Sequence, residues 1–154
     1  MDIVKIGIIG VYPDLLGGYD KTRLKEQHQN VYSRVLSLYN KRCIGITGMT
    51  IGSELDFAET CYTNNVPFEA IQIQTSPSHK WPADKDKYEF LWHRAAKQTI
   101  LSEGVFSPLK IMRKWEYVIR ESDALIYVLN AKYRHKDLIN SLYNSGKKIF
   151  LCPT

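Results

Sequence analysis

The sequence predicts an α/β fold: a three-layer sandwich in which helices cover both faces of a mostly parallel, five-stranded sheet. Two patterns predict it. Short apolar, β-branched runs alternate with stretches of helical periodicity along the chain, as in repeated β–α–β units. Those runs are apolar at consecutive positions, as strands buried on both faces are. The length of 154 residues suits one domain with its own core, spanning residues 1–154.

Residues 3–9, IVKIGII, form the first strand, since β-branched residues dominate and glycine weakens a helix. Pro13, Gly17 and Gly18 make a loop, as such residues do. Asp20 caps the next helix. In it Leu24, His28, Val31, Val35 and Leu38 recur at i, i+4, i+7, i+11 and i+14, which is one face. Residues 43–47, CIGIT, are the second strand. A turn over 48–52 leads to a helix capped by Ser53, with Asp56 three residues on and Leu55, Ala58 and Tyr62 as its buried stripe. Asn64, Asn65 and Pro67 stop it, and residues 68–73, FEAIQI, form the third strand. The polar segment 74–87 is long for a connection, and long loops in compact domains are often functional. A helix comes next over 86–101, then a break over 104–108 and a basic helix over about 108–121. Residues 124–129, ALIYVL, are the fourth strand. A helix over roughly 134–145 ends at Gly146, and KKIFLCPT is the fifth strand.

The apolar and charged fractions, 44% and 24%, are those of an ordinary soluble protein. No apolar run approaches the ~20 residues of a membrane span, and the N-terminus lacks a signal peptide's basic start and cleavage site. Cys43, Cys61 and Cys152 are odd in number and far apart, so reduced thiols in a cytoplasmic protein are expected. A net charge of +5 allows an anionic partner without identifying one. His28, His79, His93 and His135 have no metal-ligand spacing, so no metal is expected; His28, on an apolar face, reads as a packed core residue. No Ser-His-Asp or Cys-His arrangement can be argued from spacing.

In parallel sheets ligands bind beyond the carboxyl ends of the strands, where strand order reverses. The candidate rim is therefore Gly10 and Tyr12, the turn Thr47, Gly48, Met49, Thr50, Gly52, Ser53 and Glu54, and Asn130 with the residues just after it. Unpaired N–H groups at a helix start bind anions, and Gly48 and Gly52 let a ligand approach. Glu54 and Asp56 sit in the first turn, where they repel a phosphate. The expectation is a ribose hydroxyl accepted by Glu54, with phosphate placed further along; the bland alternative is that 48–52 is only a tight turn. Lys110, Arg113 and Lys114 offer a phosphate-binding face or a solvated one. Lys132 and Arg134 add cations after the fourth strand, and Tyr12, Tyr19, Trp81 and Trp115 either stack on a base or pack under loops.

YPDLLGGYD, ITGMTIGSELDFAE, KWPADKDKYEFL and SPLKIMRKWEYVIRESDALIYVLN, in that order, resemble motifs of the SLOG superfamily of Rossmann-like proteins, most closely its small bacterial and phage branch. The resemblance implies a Rossmann-like fold and a nucleotide or nucleotide-derived ligand at the strand ends, with a signalling, defence or counter-defence role. Glu54 and Glu59 fall on the motif's acidic positions. The chain departs from the pattern at Gly10-Val11-Tyr12-Pro13, at Lys114-Trp115, and at 130–134, where a Gly-Gly-Thr turn is absent.

The leading expectation is thus a nucleotide-binding module without a cofactor. One alternative is a hydrolase cutting an N-glycosidic bond with Glu54 as acid–base residue. Another is a protein-interaction domain with a degenerate ligand site. Nucleic acid is not expected as a partner, because the charge is mild and no long basic stripe exists. No membrane partner is expected, and a homo-oligomer is compatible with the sequence.

Overall fold

β1 (Val4–Ile9), β2 (Cys43–Thr47), β3 (Phe68–Gln72), β4 (Lys97–Ile100), β5 (Ala124–Leu129) and β6 (Lys148–Pro153) form one sheet. Its order is β4-β3-β2-β1-β5-β6, and every neighbouring pair is parallel. Between them run α1 (Thr22–Leu38), α2 (Ser53–Thr63), α3 (Lys85–Arg94), α4 (Pro108–Glu121) and α5 (Lys136–Asn144). The computed structural model describes residues 3–10, 22–74, 84–105, 107–129 and 135–153. The expected loop at Pro13, Gly17 and Gly18, the Asp20 cap and most of the 74–87 segment lie outside them.

Side chains alternate across each strand and so feed two cores. On one face Tyr32 and Leu36 of α1, Leu55, Phe57 and Cys61 of α2, and Leu91 of α3 pack on Ile6, Ile8, Ile126 and Val128. On the other, Val118 and Ile119 of α4 and Leu138 and Leu142 of α5 pack on Ile9, Ile46, Leu125 and Tyr127. These are the three layers expected. Among the described residues no helix is long and apolar enough to cross a membrane.

The sheet has six strands rather than five. The expected 86–101 helix stops at Arg94, Ala95 turns extended (ψ 138°), and Lys97–Ile100 pairs with β3. This edge strand carries the lysine and polar residues that guard a sheet edge, so it lacks the apolar signature of the other five. Thr99 Oγ1 donates to the buried Glu69 at 2.6 Å, as does the Tyr117 hydroxyl at 2.5 Å.

Two helix faces are turned from expectation. In α1 the buried set is His28, Tyr32, Val35 and Leu36, while Leu38 is exposed. At roughly 100° per residue the centre of the arc has rotated by about 60°, keeping His28 and Val35 and placing Tyr32 edge-on against Phe57. His28 is packed as expected and bonds the Pro153 carbonyl oxygen at 3.0 Å. In α2 Leu55 and Ala58 are buried, but Tyr62 is exposed and Phe57 and Cys61 complete the stripe. The three thiols are free, and burial pushes all of them up, Cys152 to about 11.

The chain winds outward from β1 to β4, then returns through α4 to place β5 on the other side of β1. The carboxyl ends of β1 and β5 therefore mark the reversal where such sheets bind ligands.

Candidate functional site

The corner between β2 and α2 is held by its own threonine. Thr47 Oγ1 donates to the Glu54 carbonyl oxygen at 2.7 Å and accepts from Met49 N–H at 3.1 Å. The backbone turns at Met49 (φ 60°) and Gly52 (φ 102°). Gly52, not Ser53, occupies the cap position, and no side chain caps the helix. Ser53 is instead the first helical residue; its backbone is already helical, which a capping residue's is not. Leu55 and Asp56 N–H donate to the Thr50 and Gly52 carbonyls, both at 3.0 Å. The N–H groups of Ser53 and Glu54 find no acceptor among the described residues. Such groups are the orphan donors of a helix start.

β1 ends directly against them. A Cβ added at Gly10 would lie 2.7 Å from Ser53 Cβ and 3.1 Å from Glu54 N, so only glycine lets the strand end approach this closely. At Gly48 an added Cβ would meet Glu54 Oε1 at 2.2 Å and Lys114 Cδ at 2.4 Å. The missing side chain is thus the passage through which Lys114 of α4 crosses to α2.

There the Lys114 ammonium lies 3.0 Å from Glu54 Oε1 and donates to Glu54 Oε2 and Thr50 Oγ1, both at 3.1 Å. The bond points at Oε2, and Oε1 has no donor in line. Only 4% of Glu54 and 3% of Lys114 are exposed. The sequence expectation gave these two residues separate ligand roles; the structure makes each the other's counter-ion. Two buried charges compensate in this way, and removing one strands the other at a cost of about 3–5 kcal/mol.

The remaining acids of α2 are paired as well. Lys87 of α3 lies 3.1 Å from Asp56 and 3.3 Å from Glu59. Lys25 of α1 lies 3.8 Å and 3.4 Å from the same two, and Gln29 Nε2 donates to Glu59 at 2.7 Å. Burial outweighs these lysines at Asp56 and holds its carboxyl above the ordinary range. At Glu59 burial also pushes upward, but Lys87, Gln29 and Lys25 together bring it below.

Beneath Gly10 two hydroxyls are left over. Ser53 is 1% exposed and Tyr32 fully buried, and neither hydroxyl has a hydrogen-bond partner among the described residues. They are neighbours: Tyr32 is pushed well above its ordinary pKa by burial first and by nearby thiol and carboxyl charge, while Ser53 acts in the opposite sense. Gly10 and Gly52 are half-buried and carry this corner to the surface.

The basic helix does not present one face. Ser107 caps α4, accepting from Lys110 N–H at 3.4 Å. The Lys110 ammonium folds back to the carbonyls of Glu103 and Val105 at 2.6 and 2.5 Å. Lys114 turns inward, and Arg113 alone of the three is exposed. Trp115 packs edge-on against the His135 ring, 5.2 Å between centroids, and belongs to the α4–α5 core. Met49 is fully buried, and Thr47 and Thr50 spend their hydroxyls internally. Tyr12, Tyr19, Trp81, Asn130, Lys132 and Arg134 lie outside the described residues. Of the expected ligand residues, Gly10, Gly52 and Ser53 remain together at the corner. Sequence reading missed Tyr32, whose signal was its place four residues after His28 on an apolar helix. It also missed Lys25 and Lys87, which have no local signal.

The fold is Rossmann-like. The chain is similar in structure to DNA processing protein A of Streptococcus pneumoniae, with a TM-score of 0.68 and 11% identity over 97% of this chain and 50% of that one. It is also similar to DNA processing protein A of Helicobacter pylori, described for its single-stranded DNA binding mode. There the TM-score is 0.65 and the identity 14%, over 96% of this chain and 64% of that one. The chain therefore spans only about half to under two thirds of these proteins. No protein-family model matches the sequence, and no curated protein matches it. The fold expected from the SLOG resemblance is the fold observed. The expectation that nucleic acid is an unlikely partner is overturned: a protein of similar fold binds single-stranded DNA. Net charge over a whole chain was the wrong measure, because strand binding draws on local donors and stacking surfaces.

Proposed function

We propose that this chain is a nucleotide-binding module that seats a phosphate-bearing nucleotide unit on the first turn of α2, beside the end of β1. One observation carries the reading. The Ser53 and Glu54 N–H groups, without an acceptor among the described residues, lie against the end of β1 at Gly10, and the buried Ser53 hydroxyl with its neighbour Tyr32 has no hydrogen-bond partner there either. Buried polar groups are almost always paired, so four open ones at a helix start fit an oxyanion.

The electrostatic objection to phosphate here is met within the protein. Glu54 is neutralised by Lys114, and Asp56 and Glu59 by Lys87 and Lys25. The helix dipole then acts on the ligand without opposition. The same ion pair argues against Glu54 as acid–base residue in glycosidic hydrolysis, because its carboxylate already balances a buried ammonium, while Glu54 Oε1, which has no donor in line, still offers an acceptor.

A second reading, in which the nucleotide unit belongs to a DNA strand, is favoured by the Helicobacter pylori neighbour. Isothermal titration against adenine nucleotides, NAD, ADP-ribose, cyclic nucleotides and a thymidine oligomer tests both. Binding of at least one, weakened by Ser53→Ala, is expected. No heat with any of them would leave the degenerate interaction domain as the better reading.

A further inference from the structure

Resting on that nucleotide-binding reading, we infer that the site takes the singly charged phosphodiester of a linked nucleotide in preference to the doubly charged phosphomonoester of a free one. The reason is the charge of its walls. The described ionic groups that meet α2 are three carboxylates, Glu54, Asp56 and Glu59, and three ammonium groups, Lys25, Lys87 and Lys114. They cancel. Lys110 is turned away to the loop carbonyls before α4.

Among the described residues, what the corner offers is therefore neutral: the Ser53 and Glu54 N–H groups and the Ser53 and Tyr32 hydroxyls. Tyr32 stays a neutral donor, since burial holds its proton firmly. A helix start supplies a charge of roughly +0.5. That offsets much of one negative charge and little of a second. A phosphodiester carries one; a phosphomonoester carries about 1.5 to 2 at pH 7, its second pKa being near 6. The surplus charge stays uncompensated in a buried corner, where a unit charge is felt more strongly than in water. Gly10 and Gly52 are the half-buried residues through which the corner reaches the surface.

Two kinds of molecule offer this chemistry: a linked dinucleotide and a longer strand. Isothermal titration at pH 7.5 and matched ionic strength, with thymidine monophosphate, the thymidine dinucleotide and a thymidine oligomer, separates them. The dinucleotide should bind roughly tenfold more tightly than the monophosphate. A further gain with the oligomer beyond the number of overlapping sites assigns the ligand to a strand; no gain assigns it to a dinucleotide. Asp56→Asn leaves one ammonium unmatched and should shift the ratio toward the monophosphate, with folding checked by thermal melting. Equal or tighter binding of the monophosphate, or an unchanged ratio in Asp56→Asn, would overturn the inference and leave the binding module standing. Silence from all three ligands would overturn the inference, and the binding module falls with it only if the adenine nucleotides, NAD, ADP-ribose and cyclic nucleotides give no heat either.

Discussion

Lys114 of α4 and Glu54 of α2 meet at 3.0 Å at the carboxyl end of the sheet, with both side chains buried. The contact joins helices from opposite layers, passing over the bare α-carbon of Gly48. It fixes the angle at which α2 leaves β2, and it removes a negative charge from the helix start.

Breaking that pair from one side should be costly. Lys114→Met and Glu54→Gln each leave a buried charge or carboxamide without its partner, and urea unfolding should show a loss of about 3–5 kcal/mol. The double variant should lose less than the sum of the two. Additive losses would mean that the two groups do not interact.

Ser53→Ala and Tyr32→Phe should behave in the opposite way. Each deletes a buried hydroxyl that has no partner among the described residues, so each should leave the unliganded protein unchanged or up to about 1–2 kcal/mol more stable, while weakening the ligand. A loss of stability without ligand would show that these hydroxyls already serve the fold.

Asp56 and Glu59 shift in opposite directions, so their pH signatures differ in sign. Glu59 is held below its ordinary value. Its contribution is present above the unfolded pKa and is lost as pH falls through the folded one. Asp56 is held above its ordinary value. It favours the fold at low pH, and that contribution is lost as pH rises through the raised value. The gap between wild type and Glu59→Gln should thus narrow on acidification, while Asp56→Asn should cost little at pH 7. Urea midpoints from pH 3 to 7 read both, and the same sign for the two variants would refute the assignment.

The three buried thiols, all pushed up in pKa, should resist alkylation in the native protein at pH 7.5, since only thiolate reacts. Labelling should require denaturant. Rapid labelling of Cys61 under native conditions would show that the α1–α2 core opens.

The layered α/β plan was legible because it is written in local patterns. Continuous apolar strands such as ALIYVL announce burial on both faces, and a glycine marks the end of α5. β4 was not legible, because an edge strand needs no apolar run and KQTI comes after a helix without a break. The candidate corner was half legible. Gly10, Gly52 and Ser53 were found from the position of strand ends. The fate of Glu54 was not, since its partner is 60 residues away and no periodicity connects them. The same distance effect made Asp56 read as an obstacle to phosphate when Lys25 and Lys87 had already answered it.

The most direct test of phosphate binding at the start of α2 is a titration of the isotope-labelled protein with the thymidine dinucleotide, monitored by amide nuclear magnetic resonance. The Ser53 and Glu54 N–H signals should move most, and their exchange with water should slow as the ligand saturates. Saturable binding that leaves both amides unmoved, or no shift anywhere at millimolar ligand, would contradict it.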